Sequence, residues 1–200
     1  ALLLCESDGT AEEVEDEIAR MTAVLTQSGA YDFRISQNEA ERLKFWSGRK
    51  AAFPAMGRIS PDYYCMDGTI PRKRLGEVLR FIAEMEKKYG LRCPNVFHAG
   101  DGNLHPLILF DANDPDELRR TEAFAGEVLE KSVAVGGTVT GEHGVGIEKI
   151  NQMCMQFTPA ELEMFRAVKR AFDADGLLNP EKNIPTLHRC SEFGRMHVAG

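Results

Sequence analysis

The sequence predicts an α+β fold, a ferredoxin-like antiparallel sheet with helices packed on one face, followed by a C-terminal helical segment. Short apolar segments alternate along the chain with longer segments whose apolar residues recur at helical spacing. An Asp-Gly pair inside the apolar run 96–110 predicts a β-hairpin. Alternating strands and helices are also typical of a doubly wound parallel sheet, but a hairpin joins antiparallel strands and therefore favours the first fold.

The first half of the chain predicts three strands, each followed by a helix. The helices carry start and stop signals: acidic residues or an Asn cap at the start, and Gly or Pro54 at the end. The strands are short and alternate apolar with polar residues. In chain order, the predicted strands are 1–9, 31–37 and 61–71, and the predicted helices are 10–29, 38–53 and 72–90.

The second half predicts the hairpin at 96–110, a helix at 114–137, a short strand at 138–141 and a capped helix at 158–176. The remaining stretch to Gly200 has little pattern. We expect residues 1–200 to form one compact domain, since this length is sufficient for one well-filled core. The apolar start without an initiator Met indicates a piece of a longer protein.

Composition excludes several classes of function. A net charge of −7 and a pI near 5.3 leave no basic surface for nucleic acid. No apolar run reaches the roughly 20 residues that cross a bilayer. The five cysteines are widely spaced without a C-x-x-C pair, which predicts neither a disulfide framework nor a thiolate zinc site. We therefore expect a cytoplasmic protein without a transmembrane segment, which partner subunits can hold at a membrane.

The hairpin "HAGDGNLHP" contains two histidines. If Asp101 and Gly102 form a two-residue turn, His98 lies opposite His105 on the same face, with Cβ atoms roughly 4.5 to 5.5 Å apart. That separation suits two ligands of one metal ion. The alternative is that both are ordinary hydrogen-bonded strand histidines.

A second motif, "GEHGVGIEK", places Glu142 beside His143 among glycines. Neighbours on an extended segment point to opposite sides, so that one can bind a metal while the other faces a different cavity. Its glycines do not match a dinucleotide-binding loop. The alternative here is a glycine-rich turn with a solvated Glu-His pair.

Two histidines and one glutamate form the ligand set of a catalytic zinc ion, with a fourth position open to water or substrate. Mn²⁺ or Fe²⁺ also accepts these ligands. Such an ion makes a bound hydroxyl far easier to deprotonate, and a neutral histidine nearby can take the proton. Asp101 and Asn103 are candidates for orienting the ligands. The sequence thus predicts a site built from His98, His105 and Glu142.

The two motifs together resemble the C-terminal domain of FAD-linked oxidases of the vanillyl-alcohol-oxidase type. The segment "FWSGRKAAFPAMGRISPDYYCMDGTIPR" is similar to the glycolate oxidase branch of this family, and "GLLNPEKNIP" resembles the family's closing motif. In the D-2-hydroxyglutarate branch a lysine occupies the position of Cys65, and this departure argues against a dicarboxylate substrate.

The resemblance implies a role for each candidate residue. His98, His105 and Glu142 are implied to hold a divalent metal, His143 to act as the base, and Arg49 to bind the substrate carboxylate, unless Arg49 is only a solvated helix residue. Two further positions match family motifs, and we expect a mainly structural role for each of them: Lys149 and Asn179, the second being the candidate contact to the cofactor.

The implied function is the substrate and metal domain of an FAD-dependent 2-hydroxy-acid dehydrogenase that oxidises glycolate to glyoxylate. FAD is expected mainly on an N-terminal domain that these residues do not include, so the isolated chain should be inactive. A D-lactate dehydrogenase domain and a non-catalytic, metal-stabilised assembly domain are the alternatives. The expected partners are a small 2-hydroxy acid and other oxidase subunits, including one that transfers electrons.

Overall fold

A computed structural model describes residues 1–186 and 189–190. Contacts divide the chain into two compact units, residues 1–54 and 55–200. The described residues contain these helices and strands: α1 (Ala11–Gln27), α2 (Glu39–Met56), β1 (Asp62–Cys65), α3 (Leu75–Tyr89), β2 (Leu107–Phe110), α4 (Pro115–Ala134), α5 (Ile150–Gln156) and α6 (Pro159–Phe172). A short 3₁₀ helix, Arg72–Arg74, precedes α3.

The first unit contains the two predicted helices. α1 starts with a capping box, in which the Thr10 side chain accepts from the Glu13 amide and the Glu13 carboxylate accepts from the Thr10 amide. The Asn38 side chain caps α2 in a related way, by accepting from the Glu41 amide at 3.0 Å. α2 continues through Pro54 to Met56, slightly beyond its predicted end.

The two strands predicted in the first unit are wrong. Residues 1–9 and 31–37 have no strand structure, and no residue of 1–54 is buried. Tyr31, for example, is 96% exposed. Local alternation of apolar and polar residues does not make a strand unless a neighbouring chain pairs with its backbone N–H and C=O groups.

In the second unit, β1 and β2 pair antiparallel, with Asp62 opposite Phe110 and Cys65 opposite Leu107. The mixed helical and antiparallel fold is therefore confirmed. The ferredoxin-like sheet is not, since these are the only two strands that pair in a ladder among the described residues. The predicted strand 61–71 continues past Cys65 as an irregular segment that makes isolated bridges, and the predicted strand 138–141 contributes one bridge, at Thr138.

The core of the second unit lies where α3 and α4 pack together and where α4 packs on β2. α3 buries Val78 and Ile82 and ends, as predicted, at Gly90 in the left-handed conformation, φ 64°. α4 begins at the Asp114 cap. Phe124, on α4, is fully buried in this core and its ring stacks on Tyr89 at 5.7 Å between centroids.

The C-terminal helical segment is confirmed by α6, which starts with a second capping box between Thr158 and Glu161. The preceding helix α5 was not predicted. It has seven residues, two turns at most, and four of them are buried, so it shows no amphipathic period.

The cysteine spacing indicates no disulfide framework, but the structure contains one disulfide that the spacing does not predict, between Cys154 on α5 and Cys190, 36 positions later. Sequence spacing does not reveal a pairing that depends on how the chain returns to α5. None of the described helices is long and apolar enough to cross a membrane.

Candidate metal centre

The histidine hairpin forms, but its register differs from the predicted one. The His98 amide donates to the Asn103 carbonyl at 3.0 Å, so His98 lies opposite Asn103 and the loop has four residues, 99–102. The Ile70 amide donates to the Gly102 carbonyl at 2.9 Å. Gly102 is therefore also paired to a residue outside the hairpin.

The shift of two residues keeps both histidines on one face. His98 and His105 become diagonal neighbours, and their ring centroids lie 5.6 Å apart in an edge-to-face arrangement. The hairpin thus brings the two imidazoles together, as predicted, by a different pairing.

The segment 66–70, "MDGTI", lies between the two motifs. Thr69 forms bridges with Asn103 on one side and with Thr138 on the other. The Leu104 amide donates to the Gly68 carbonyl at 2.9 Å, and the Gly141 amide donates to the Asp67 carbonyl at 2.7 Å. The first and second motifs are therefore both paired to one central segment.

Gly141 permits this close approach. A Cβ at residue 141 would lie 2.3 Å from Oγ1 of Thr69 and 2.7 Å from Oδ1 of Asn103. Only glycine fits between these two polar side chains.

The side chain of Asp67 holds residues 140–143 of the second motif by hydrogen bonds. Its carboxylate is fully buried and accepts from three consecutive backbone amides, those of Gly141 (3.0 Å), Glu142 (3.1 Å) and His143 (2.8 Å). The Thr140 hydroxyl donates to the same carboxylate at 2.6 Å. Nζ of Lys149, itself buried, lies 3.3 Å from Oδ2.

These donors decide the charge of Asp67. Burial alone raises the pKa of a carboxyl group, but here the hydrogen bonds from Thr140, His143 and Glu142, together with the Lys149 charge, hold the pKa of Asp67 well below its usual range. Asp67 is therefore ionised at neutral pH.

The imidazole and carboxylate groups of the two motifs lie close together, beside Asp67. Nε2 of His105 lies 2.8 Å from Oε1 of Glu142, and Nε2 of His143 lies 3.6 Å from the same oxygen. Asp67, His105, Glu142 and His143 each offer one ligand atom, and these four atoms all lie within 4.8 Å of one another. The structure thus brings together His105 and Glu142 of the predicted ligands, together with the predicted base; His98 lies beside this group.

Glu142 and His143 do not diverge as an extended segment would require. Their side-chain ends are 3.6 Å apart, because residues 141–143 bend around the Asp67 carboxylate. They nevertheless line different cavities. Glu142 and His98 line one of about 330 Å³, and His143 lines another of about 280 Å³ with Cys65 and Lys182.

The donor set fits a divalent metal ion. The pKa of His105 is lowered, first by burial and then by the neighbouring His143, which favours the neutral imidazole that binds metals. The Glu142 side chain is 53% exposed and that of His143 is 45% exposed, so both remain open to a ligand on the solvent side. Imidazole nitrogen and carboxylate oxygen are suitable donors for Zn²⁺, Mn²⁺ and Fe²⁺.

Two predicted residues are not among these ligating groups. Arg49 is on α2, in the first unit, and its guanidinium lies over the Phe53 ring, 5.8 Å from the centroid. Asn179 is exposed, with φ 45°. In the same closing segment Asn183 contacts the second motif, because its side chain accepts from the Gly146 amide at 2.9 Å and its own amide donates to the Gly146 carbonyl at 2.8 Å.

Sequence reasoning missed Asp67. The available signal was a single acid inside the otherwise apolar or uncharged run 63–70, since a buried charge requires partners. Its partners, however, lie more than 70 positions later and are mainly backbone amides, which no residue type indicates.

The chain is similar to known proteins over nearly its whole length. A family model described as "FAD linked oxidases, C-terminal domain" matches residues 1–183. The chain is 63% identical over 198 residues to glycolate oxidase subunit GlcD of Escherichia coli K12, which covers 99% of the chain and 40% of that protein. It is 35% identical to GlcD of Bacillus subtilis (91% of the chain, 39% of the relative) and 30% identical to a probable mitochondrial D-lactate dehydrogenase of Danio rerio (90% and 37%). The chain therefore spans about 40% of the length of these relatives.

Proposed function

Since this chain belongs to the FAD-linked oxidases, as their C-terminal domain, we propose that it is the substrate- and metal-binding domain of an FAD-dependent 2-hydroxy-acid dehydrogenase that oxidises glycolate to glyoxylate. The observation that carries the proposal is the meeting of the two motifs, in which Glu142 comes within 2.8 Å of His105. Glycolate is preferred to D-lactate because identity is 63% to a glycolate oxidase subunit and 30% to a D-lactate dehydrogenase.

We assign the metal to His98, His105 and Glu142. His105 is fixed by burial, and Glu142 and His98 line the same cavity, which gives the ion an open side. When bound, the ion supplies a Lewis acid that makes the substrate hydroxyl easier to deprotonate. Asp67 is near these ligands, but its carboxylate is occupied by the amides of 141–143 and by Lys149. An open coordination position also favours an enzyme over the alternative of a metal-stabilised assembly domain.

His143 is the proposed base. Its Nε2 lies 3.6 Å from Oε1 of Glu142, a proposed metal ligand, where it would be placed to take the proton of the substrate hydroxyl. The substrate would lose its Cα hydrogen as a hydride, for which FAD, held mainly by a separate domain, would supply the acceptor, and the product would be the 2-oxo acid. Arg49 is proposed to bind the substrate carboxylate, a planar anion that suits a guanidinium, and Asn179 to contact the cofactor.

The E. coli relative is named as a subunit of an oxidase. We propose accordingly that this protein also works with other subunits, one of which takes electrons from the reduced flavin.

Paired substitutions in the flavin-loaded enzyme test the roles. We expect Glu142→Ala to lose the metal, and His143→Ala to keep it while kcat falls by about 10²- to 10⁴-fold, the usual contribution of a general base. Metal content is measured by mass spectrometry and turnover with glycolate and D-lactate. Glu84→Ala, at an exposed glutamate on α3, is the control and should change neither. Retention of metal in Glu142→Ala together with its loss in His143→Ala would exchange the two roles.

A further inference from the structure

We infer that Asp67 is a positioning residue, whose buried carboxylate holds the backbone of 141–143 so that the side chains of Glu142 and His143 meet His105. The inference rests on the proposed function, in which these three side chains act on the metal and the substrate. Asp67 itself is assigned no contact with either.

The geometry of the hydrogen bonds supports this role. Three successive amide N–H groups converge on one carboxylate, the arrangement with which a chain usually surrounds a bound anion. Here the anion is the Asp67 side chain, which precedes the three amides by 74 to 76 residues along the chain. Thr140 extends the same array by one donor, at 2.6 Å. The bend of the second motif therefore depends on Asp67.

The backbone holds this bend at Gly141, whose amide also donates to the Asp67 carbonyl at 2.7 Å, but the residues that follow lack regular structure. Residues 141–149 form no helix or strand before α5, and Gly144 and Gly146 adopt positive φ angles of 81° and 56°. A Cβ at residue 144 or 146 would contact nothing within 4 Å, so neither glycine is held by close packing. Without a carboxylate at residue 67, the N–H groups of Glu142 and His143 would lose their acceptor, while that of Gly141 would keep only the backbone carbonyl of residue 67.

The experiment compares Asp67→Asn with Asp114→Asn in the flavin-loaded enzyme. The amide introduced by Asp67→Asn has one acceptor oxygen and places donors against donors, while the side chain keeps its size. Asp114 is the matched control, because its carboxylate also accepts from two backbone amides, those of Asp116 and Glu117, at the start of α4 and outside the site. Hydrogen exchange at residues 141–143 measures the positioning directly, and the Mn²⁺ dissociation constant measures its consequence.

We expect Asp67→Asn to speed exchange at 141–143 and to weaken Mn²⁺ binding by about 10- to 100-fold, the usual effect of removing a group that orients metal ligands. Asp114→Asn should change neither. A purely structural role for Asp67 would lower the thermal midpoint yet leave Mn²⁺ affinity of the folded protein at the wild-type value, and that result would overturn the inference. Unchanged exchange at 141–143 would overturn it as well.

Two further measurements separate this inference from the proposed function. If the wild-type enzyme binds no Mn²⁺, Zn²⁺ or Fe²⁺, the proposed metal role fails, while faster exchange in Asp67→Asn but not in Asp114→Asn still supports positioning. If Asp67→Asn does not fold, Thr140→Val removes one donor of the array and should weaken Mn²⁺ binding in the same direction by a smaller factor. Wild-type affinity in Thr140→Val would then overturn the inference.

Discussion

The hairpin 96–106 and the glycine-rich segment 138–149 both contribute to the site but are stabilised differently. Backbone hydrogen bonds hold the hairpin on both sides, and they leave His105 only 2% exposed. The glycine-rich segment pairs by backbone hydrogen bonds only at its start, where Thr138 pairs with Thr69 and Gly141 with Asp67. Its Glu142 and His143 are held by the Asp67 carboxylate, and their side chains are about half exposed.

The hairpin therefore supplies the rigid part of the site, and the glycine-rich segment supplies the accessible part. A buried imidazole on a paired strand gives the site a fixed point, whereas ligands on a bent loop remain open to solvent and substrate. The loop is ordered by the buried ion pair between Asp67 and Lys149. Substitutions of Asp67 or Lys149 should therefore be costly.

The largest effect is expected from Lys149→Met. Removing the cation leaves the Asp67 carboxylate buried without a compensating charge, and breaking a buried ion pair in this way typically costs about 3 to 5 kcal/mol of unfolding free energy. Urea unfolding measures the change, with Lys73→Met, at an exposed position, as the control. A cost below about 1 kcal/mol would show that the amides and Thr140 suffice to hold the charge.

A smaller effect on stability is expected when one glycine of each motif is replaced by alanine. Gly102 and Gly144 have similar φ angles, 73° and 81°, so that alanine carries a similar backbone penalty of about 1 to 2 kcal/mol at each. A Cβ at residue 102 would also lie 2.1 Å from the Ile70 carbonyl oxygen, whereas residue 144 has open space. We expect Gly102→Ala to lose about 1 to 3 kcal/mol more than Gly144→Ala in urea unfolding. Equal losses would mean that the hairpin is no more tightly packed than the loop.

The features that the sequence predicts correctly are those that depend on residues close together in the chain. The helices at 11–27 and 159–172 are predicted by their apolar period, acidic first turn or cap, and Gly stop, and in the structure each starts with a capping box that acts over three residues. The hairpin was found from its Asp-Gly pair, but its register was not, because Ile70 pairs with Gly102 from outside the hairpin.

The remaining features depend on contacts between distant parts of the chain. The strands predicted at 1–9 and 31–37 had the right alternation and no partner. The residues His105 and Glu142 were recognised by type, and the bend that brings them together was not, since it is imposed by Asp67 from 75 positions away. Side-chain chemistry is readable in the sequence, whereas its placement here is set by an array of backbone amides.

The smallest effect concerns Asn183, which joins the closing segment to the glycine-rich loop. Its side chain accepts from the Gly146 amide, and its own φ is 67°. Asn183→Gly keeps the backbone relaxed and removes only the side-chain hydrogen bond, so we expect a loss of about 1 kcal/mol. Asn183→Ala adds the energetic penalty of a left-handed backbone and should lose about 1 kcal/mol more.

Because Gly146 lies beyond the amides that Asp67 holds, neither variant should change hydrogen exchange at 141–143. Faster exchange there in Asn183→Gly would show that the closing segment, and not Asp67 alone, keeps Glu142 and His143 in place.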